Sequence, residues 1–154
     1  MMTILFVCVH NSGRSQMAEA FLNKLAAGRV RAISAGTEPA EAVNPMVVKV
    51  MSELGIDISH QKPKKLTLEM IEQADKVITM GCGVDEVCPG TFVETEDWGI
   101  DDPRGKPLQK VREIRDQIQV RVSGLLTEIS YRLLLPGGVG VQGLVIGDEP
   151  GLPG

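Results

Sequence analysis

Short apolar runs of strand length alternate along this chain with longer stretches whose apolar residues recur every three or four positions, and nothing else narrows the possible folds as much. Thr3 to Val7 reads as a buried strand, followed by a polar loop and a helix from Ser15 to Leu25 with Met17, Phe21, Leu22 and Leu25 at helical spacing. Val30 to Ala35 gives a second strand ending at Gly36. Pro45, after Asn44, opens a helix with an apolar face through Val47, Val48, Met51 and Leu54, and Gly55 stops it. Thr67 is a natural N-cap for residues 68–74, and Val77-Ile78-Thr79 forms a third strand. A fourth is expected between Thr91 and Trp98. The last helix carries Val111, Ile114, Ile118, Val122, Leu125 and Ile129, with charges from Lys110 to Arg121 on its other face. Strands alternating with helices imply a parallel sheet covered on both sides through right-handed crossovers, hence a three-layer α/β/α domain.

The 154 residues suit one domain. From Pro136 to Gly154, ten of nineteen residues are Gly or Pro, a composition that cannot sustain a helix, so we expect a catalytic domain over 1–132 and a flexible tail over 133–154. A net charge of −4 offers no pull toward nucleic acid, and no apolar run is long enough to span a bilayer. The apolar N-terminus is brief and lacks a basic leader, so it reads as a strand and not a signal peptide. Three cysteines, an odd count, argue for reduced thiols and a cytoplasmic location.

The chemistry concentrates in the loop Cys8-Val9-His10-Asn11-Ser12-Gly13-Arg14-Ser15. A cysteine at the end of a first strand and an arginine opening the first helix enclose five residues whose backbone N–H groups can turn inward. The helix points its positive end at the same spot, so a tetrahedral oxyanion meets donors from Val9 to Arg14. The same donors stabilise a thiolate on Cys8. Arg14 brings a planar fork matched to two oxyanion oxygens. Ser15 can donate its hydroxyl to the sulfur, and Asn11 can brace the loop because its side chain tolerates left-handed backbone. His10 is a candidate general base or simply a surface residue. Cys8 and Arg14 also admit a plainer assignment, a buried small residue beside a surface arginine.

Phe6-Val7-Cys8 through Arg14-Ser15-Gln16-Met17-Ala18-Glu19-Ala20, with Ser34-Ala35-Gly36-Thr37-Glu38 and Leu54-Gly55-Ile56-Asp57-Ile58-Ser59, resembles the low-molecular-weight protein tyrosine phosphatase superfamily from residue 3 to about 131. Arg-Ser-Gln-Met-Ala-Glu after the loop, and the later pair Cys82 and Cys88, are similar to its thioredoxin-coupled arsenate reductases. The resemblance implies a four-stranded parallel sheet of order 2-1-3-4. It further implies Cys8 as nucleophile toward arsenate (phosphate or sulfate as mimics), Cys82 as resolving thiol, Cys88 as relay, and thioredoxin as electron donor with no bound cofactor. Asp102, before Pro103, would be the acid that protonates the leaving oxygen. An open parallel sheet lines up the loops after its strands along one edge, so the Cys82 segment is expected beside the Cys8 loop. Were Gly83 to Val87 helical, Cys82 and Cys88 would lie about 9 Å apart along the axis, beyond the roughly 7 Å Cα separation a disulfide accepts, so oxidation would have to remodel that segment.

Arg104-Gly105-Lys106 stands where the tyrosine-phosphatase branch often places aromatics, and aromatics make up only 3% of the chain. This disfavours the alternative, a low-molecular-weight tyrosine or acid phosphatase working through a Cys8 phosphocysteine. A third possibility is a protein that sequesters arsenite on its thiols without turnover. Some reductases of this kind bind a monovalent cation through oxygens that Asn11, Glu19 and Ser34 match by position. Pro63-Lys64 stands where an acidic ligand would be expected, so no metal is assigned.

Overall fold

The computed structural model describes residues 2–80 and 94–134. Four strands, β1 (Met2–Cys8), β2 (Val30–Gly36), β3 (Lys76–Thr79) and β4 (Glu94–Asp97), alternate with helices α1 (Arg14–Ala26), α2 (Pro45–Ser52), α3 (Leu68–Gln73) and α4 (Leu108–Leu134). The strands form one sheet of order β2-β1-β3-β4, all parallel, with Cys8 opposite Gly36 and Val7 opposite Thr79. The expected topology is what the chain adopts. It agrees with burial: Ile4 to Val7 of β1 and Val77 to Thr79 of β3 are at 0% exposure, and these are the two strands with a neighbour on each side.

Alternate residues of β1 feed two different layers. Leu5 and Val7 join Ala35, Val77 and Ala74 in a core that Met70 and Ile71 of α3 help to close. On the opposite face Ser34 bonds Glu19 of α1, and Phe6 packs its ring 5.7 Å from that of Trp98. Side chains at the caps fix the helix starts. Asn44 Oδ1 accepts from Met46 N at 2.9 Å ahead of Pro45, and Thr67 Oγ1 accepts from Met70 N at 3.1 Å. Arg115 of α4, buried among apolar neighbours, donates to Val50 O and Glu53 at 2.9 Å each and so ties α4 to the end of α2.

Two details differ from expectation. Leu25 and Leu54 are 40% and 37% exposed. In the last turn of α1 Ala26 takes the buried place and Leu25 faces outward, and α2 ends at Ser52, so Leu54 lies past it and Val50 takes the buried place. The fourth strand is described only from Glu94, and its four residues are all exposed, as suits an edge.

The chain divides into two units, Met1–Val122 and Ser123–Gly154. The first contains the sheet and the Cys8 loop. Cys82, Cys88 and the 136–154 tail lie outside the described residues, as does the proposed remodelling of 82–88. No helix among the described residues is long and apolar enough to cross a membrane.

Candidate active site

The loop leaves β1 at Cys8 and enters α1 at Arg14, and its shape depends on a fully buried Asn11 at φ 50°, in left-handed backbone. Asn11 is held there by all four bonding positions of its side-chain amide. Oδ1 accepts from Lys64 N at 2.9 Å and Gln16 Nε2 at 3.0 Å, while Nδ2 donates to Ser15 Oγ at 2.7 Å and Ser34 Oγ at 3.0 Å. Gly36 supplies the wall behind the loop. A β-carbon there would lie 2.6 Å from Val9 O and 2.9 Å from Asn11 N, so the loop seats only against a residue with no side chain.

Two donors converge on the sulfur. Asn11 N donates to Cys8 Sγ at 3.3 Å, and Ser15 Oγ lies 2.9 Å from it. Because Ser15 Oγ already accepts from Asn11, its single proton is free to point at the sulfur, which is the polarity a thiolate requires. Cys8 is only 2% exposed, and no side chain caps the first turn of α1, so those amides stay available to an anion.

Arg14, 6% exposed, donates from Nη1 to Met80 O at 2.5 Å and Ile100 O at 2.9 Å. These two carbonyls, from the ends of β3 and of the segment after β4, set the plane of the guanidinium and aim Nη2 toward Asp102, 3.8 Å away. Asp102 Oδ1 accepts from Arg104 N at 3.0 Å, so this carboxylate turns back on its own loop and does not cap α4. Its side chain is 46% exposed, against 7% for Arg14.

Residues 3–133, which include this loop and the Asp102 turn, match the family described as low molecular weight phosphotyrosine protein phosphatase. The chain belongs to that family.

Within this phosphatase family the chain is 42% identical over 122 residues to a protein of Brevibacillus brevis named arsenate reductase, covering 78% of this chain and 90% of that one. Among solved structures, a thioredoxin-dependent arsenate reductase of Corynebacterium glutamicum is similar at TM-score 0.74 and 40% identity. That likeness covers 85% of this chain, which spans 63% of the Corynebacterium protein. An arginine phosphatase of Geobacillus stearothermophilus gives TM-score 0.79 at 29% identity, over 87% of this chain and 96% of that one.

Of the residues singled out from the sequence, Cys8, Asn11, Arg14, Ser15 and Asp102 come together: Asn11 and Ser15 on the Cys8 sulfur, and Asp102 beside Arg14. His10 does not face the sulfur. Its Nδ1 lies 3.1 Å from Glu38 O, and its Nε2 contacts Arg104 Nη1. Glu19, Ser34 and Asn11 do meet: Ser34 Oγ receives Asn11 Nδ2 and donates to Glu19 Oε1 at 2.5 Å, with Lys64 Nζ 3.7 Å from that oxygen. Asn11 thus turns its amide nitrogen, a donor, toward the place where a cation needs an oxygen, and Lys64 supplies the positive charge, so these residues do not fit a cation cage. Sequence reasoning missed Gln16, which is fully buried and donates to Asn11 O, Asn11 Oδ1 and Lys62 O at 3.0–3.2 Å. The available signal was a polar residue beside Met17 on the face that α1 buries.

Proposed function

We propose that this protein reduces arsenate to arsenite, with Cys8 as nucleophile and thioredoxin as final electron donor. The observation that carries the reading is the setting of the Cys8 sulfur, under donors from Asn11 N and Ser15 Oγ at the mouth of an anion-binding loop. Kinship supports arsenate as the substrate, and the run Arg104-Gly105-Lys106 offers no aromatic grip for a phenol ring.

Arsenate seats on the loop amides from Val9 to Arg14 and on the Arg14 fork. The Cys8 thiolate forms a sulfur–arsenic bond as one oxygen, protonated by Asp102, leaves as water. A Cys82 thiolate then attacks the Cys8 sulfur. The sulfur–arsenic electron pair returns to arsenic, which leaves as trivalent arsenite, and a Cys8–Cys82 disulfide remains. Attack by Cys88 on Cys82 frees Cys8, and the dithiol of thioredoxin reduces the Cys82–Cys88 bond. Such thiols require a reducing compartment, consistent with a cytoplasmic protein.

A second reading, hydrolysis of phosphate monoesters through a Cys8 phosphocysteine, is favoured by the match to the phosphotyrosine phosphatase family and uses the same loop and Asp102. One assay separates the two: arsenate-dependent NADPH oxidation in the presence of thioredoxin and its reductase. Cys8→Ser is expected to abolish this turnover and para-nitrophenyl phosphate hydrolysis alike, by roughly 10⁴-fold or more. Cys82→Ser and Cys88→Ser should abolish the first and spare the second. Absence of arsenate-dependent oxidation in the unaltered protein overturns the reductase reading.

A further inference from the structure

The acid loop carries a second attachment to the anion loop that the chemistry above does not use. Residues Asp102 to Lys106 form a tight turn, with Lys106 N bonded to Pro103 O at 3.1 Å and Gly105 at φ 74°. Arg104 sits within this turn and faces two ways. Its backbone N–H holds Asp102 Oδ1 at 3.0 Å, and its guanidinium reaches Nε2 of His10 in the anion loop. The other ring nitrogen of His10 lies 3.1 Å from Glu38 O, in the segment after β2. A carbonyl only accepts and a guanidinium only donates, so these partners select one form of the ring: neutral, with its proton on Nδ1 and its lone pair on Nε2 facing Arg104. Pro103 closes the same seam from below, since a β-carbon at Gly13 would lie 2.9 Å from Pro103 Cγ.

We infer that Arg104 and His10 form a clasp that positions Asp102 over the Cys8 loop, His10 acting as a fixed acceptor and not as a base. Apart from the clasp, among the described residues Asp102 has only its 3.8 Å pairing with Arg14 to direct it, and its side chain is 46% exposed. Releasing Arg104 frees the peptide N–H that orients the carboxyl, while the anion loop keeps Asn11, Ser15 and Gln16 unchanged. Both are therefore positioning residues for proton delivery, and the inference rests on the reading of Asp102 as the acid.

A proton donor matters most when the leaving oxygen is a poor leaving group. In the full-length protein, Arg104→Ala and His10→Phe are expected to lower hydrolysis of phenyl phosphate about tenfold to a hundredfold, the loss that a small misplacement of a catalytic group produces. The loss on para-nitrophenyl phosphate should be much smaller. The double variant should be no worse than either single one, because both remove one contact. His10→Gln, which keeps a neutral acceptor, should recover part of the rate. The inhibition constant of inorganic phosphate should not change in Arg104→Ala, which reports that the anion loop is intact. In the reductase assay the same variant should lower kcat for arsenate and leave KM unchanged. Equal losses on both esters, or additive losses in the double variant, overturn the clasp. Asp102→Asn is the reference: if it steepens the leaving-group dependence and the clasp variants do not, the clasp alone fails. If it leaves that dependence unchanged, the role of Asp102 fails and the clasp with it.

Discussion

The two sides of the site are built differently. On the Cys8 side, Asn11, Ser15 and Gln16 are fully buried, and their side chains bond one another, Ser34 of β2, and Gln61, Lys62 and Lys64. On the Asp102 side, the turn from Asp101 to Lys106 is mostly exposed and is held by single contacts: Pro103 on Gly13, Arg104 on His10, and Lys110 on Asp101 at 3.4 Å. Binding an oxyanion and holding a thiolate depend on fixed dipoles that need no rearrangement when the anion arrives. Delivering a proton depends on a group that can approach and withdraw as the leaving atom departs. The contrast assigns recognition to the first side and timing to the second.

The contrast breaks most visibly at Arg14, which belongs to the buried side yet points at the exposed one. Arg14→Lys keeps the charge but puts three donors on one nitrogen in place of a planar five-donor fork, too few for Met80 O, Ile100 O and two oxyanion oxygens together. It should lower kcat/KM for arsenate roughly 10²- to 10³-fold, in KM as well as kcat, measured by steady-state kinetics. A loss confined to kcat would move Arg14 to the timing side. Next in size, Asn11→Ala removes four hydrogen bonds and leaves a non-glycine residue at φ 50°, so it should destabilise the protein by about 3 kcal/mol. Asn11→Gly should recover roughly 1 kcal/mol of that by relieving the backbone. Urea midpoints would check both, and a substitution in the Asp102 turn of equal cost would erase the distinction.

The smallest effect sits outside both halves. Lys76 reaches Glu96 at 2.9 Å and Glu94 at 3.1 Å across β3 and β4. The hydrogen bond from Lys76 is the main cause that holds Glu96 below the usual carboxylate range, with burial opposing it. Stability from a carboxyl lowered in this way is fully present above its ordinary pKa and is lost as pH falls through the folded value. Glu96→Gln should therefore lower stability at neutral pH by no more than about 1 kcal/mol. The difference from the unaltered protein should vanish on acidification, and turnover should not change.

Most of the fold was legible because β1, β2 and β3 are largely apolar runs of strand length and the starts of α2 and α3 carry their own caps, Asn44 and Thr67. The Cys8 loop was legible for a related reason: Cys8, Arg14 and Ser15 are close in sequence and act together in space. Gln16, Gly36 and the Arg104–His10 pair were not, since each matters through a neighbour dozens of residues away that only the folded sheet brings near. Helix ends were the weakest point: Ala26 and not Leu25 is the buried residue at the end of α1, and Leu54 lies past the end of α2.

The guanidinium of Arg14 hangs from the carbonyl of Met80, the last described residue before the segment that carries Cys82. Whatever displaces that carbonyl takes a hydrogen bond from the residue that grips the oxyanion, and an oxyanion that reorients the guanidinium loosens the carbonyl in turn. The grip of Arg14 on an oxyanion and its bond to the Met80 carbonyl are thus thermodynamically linked, and such linkage acts equally in both directions.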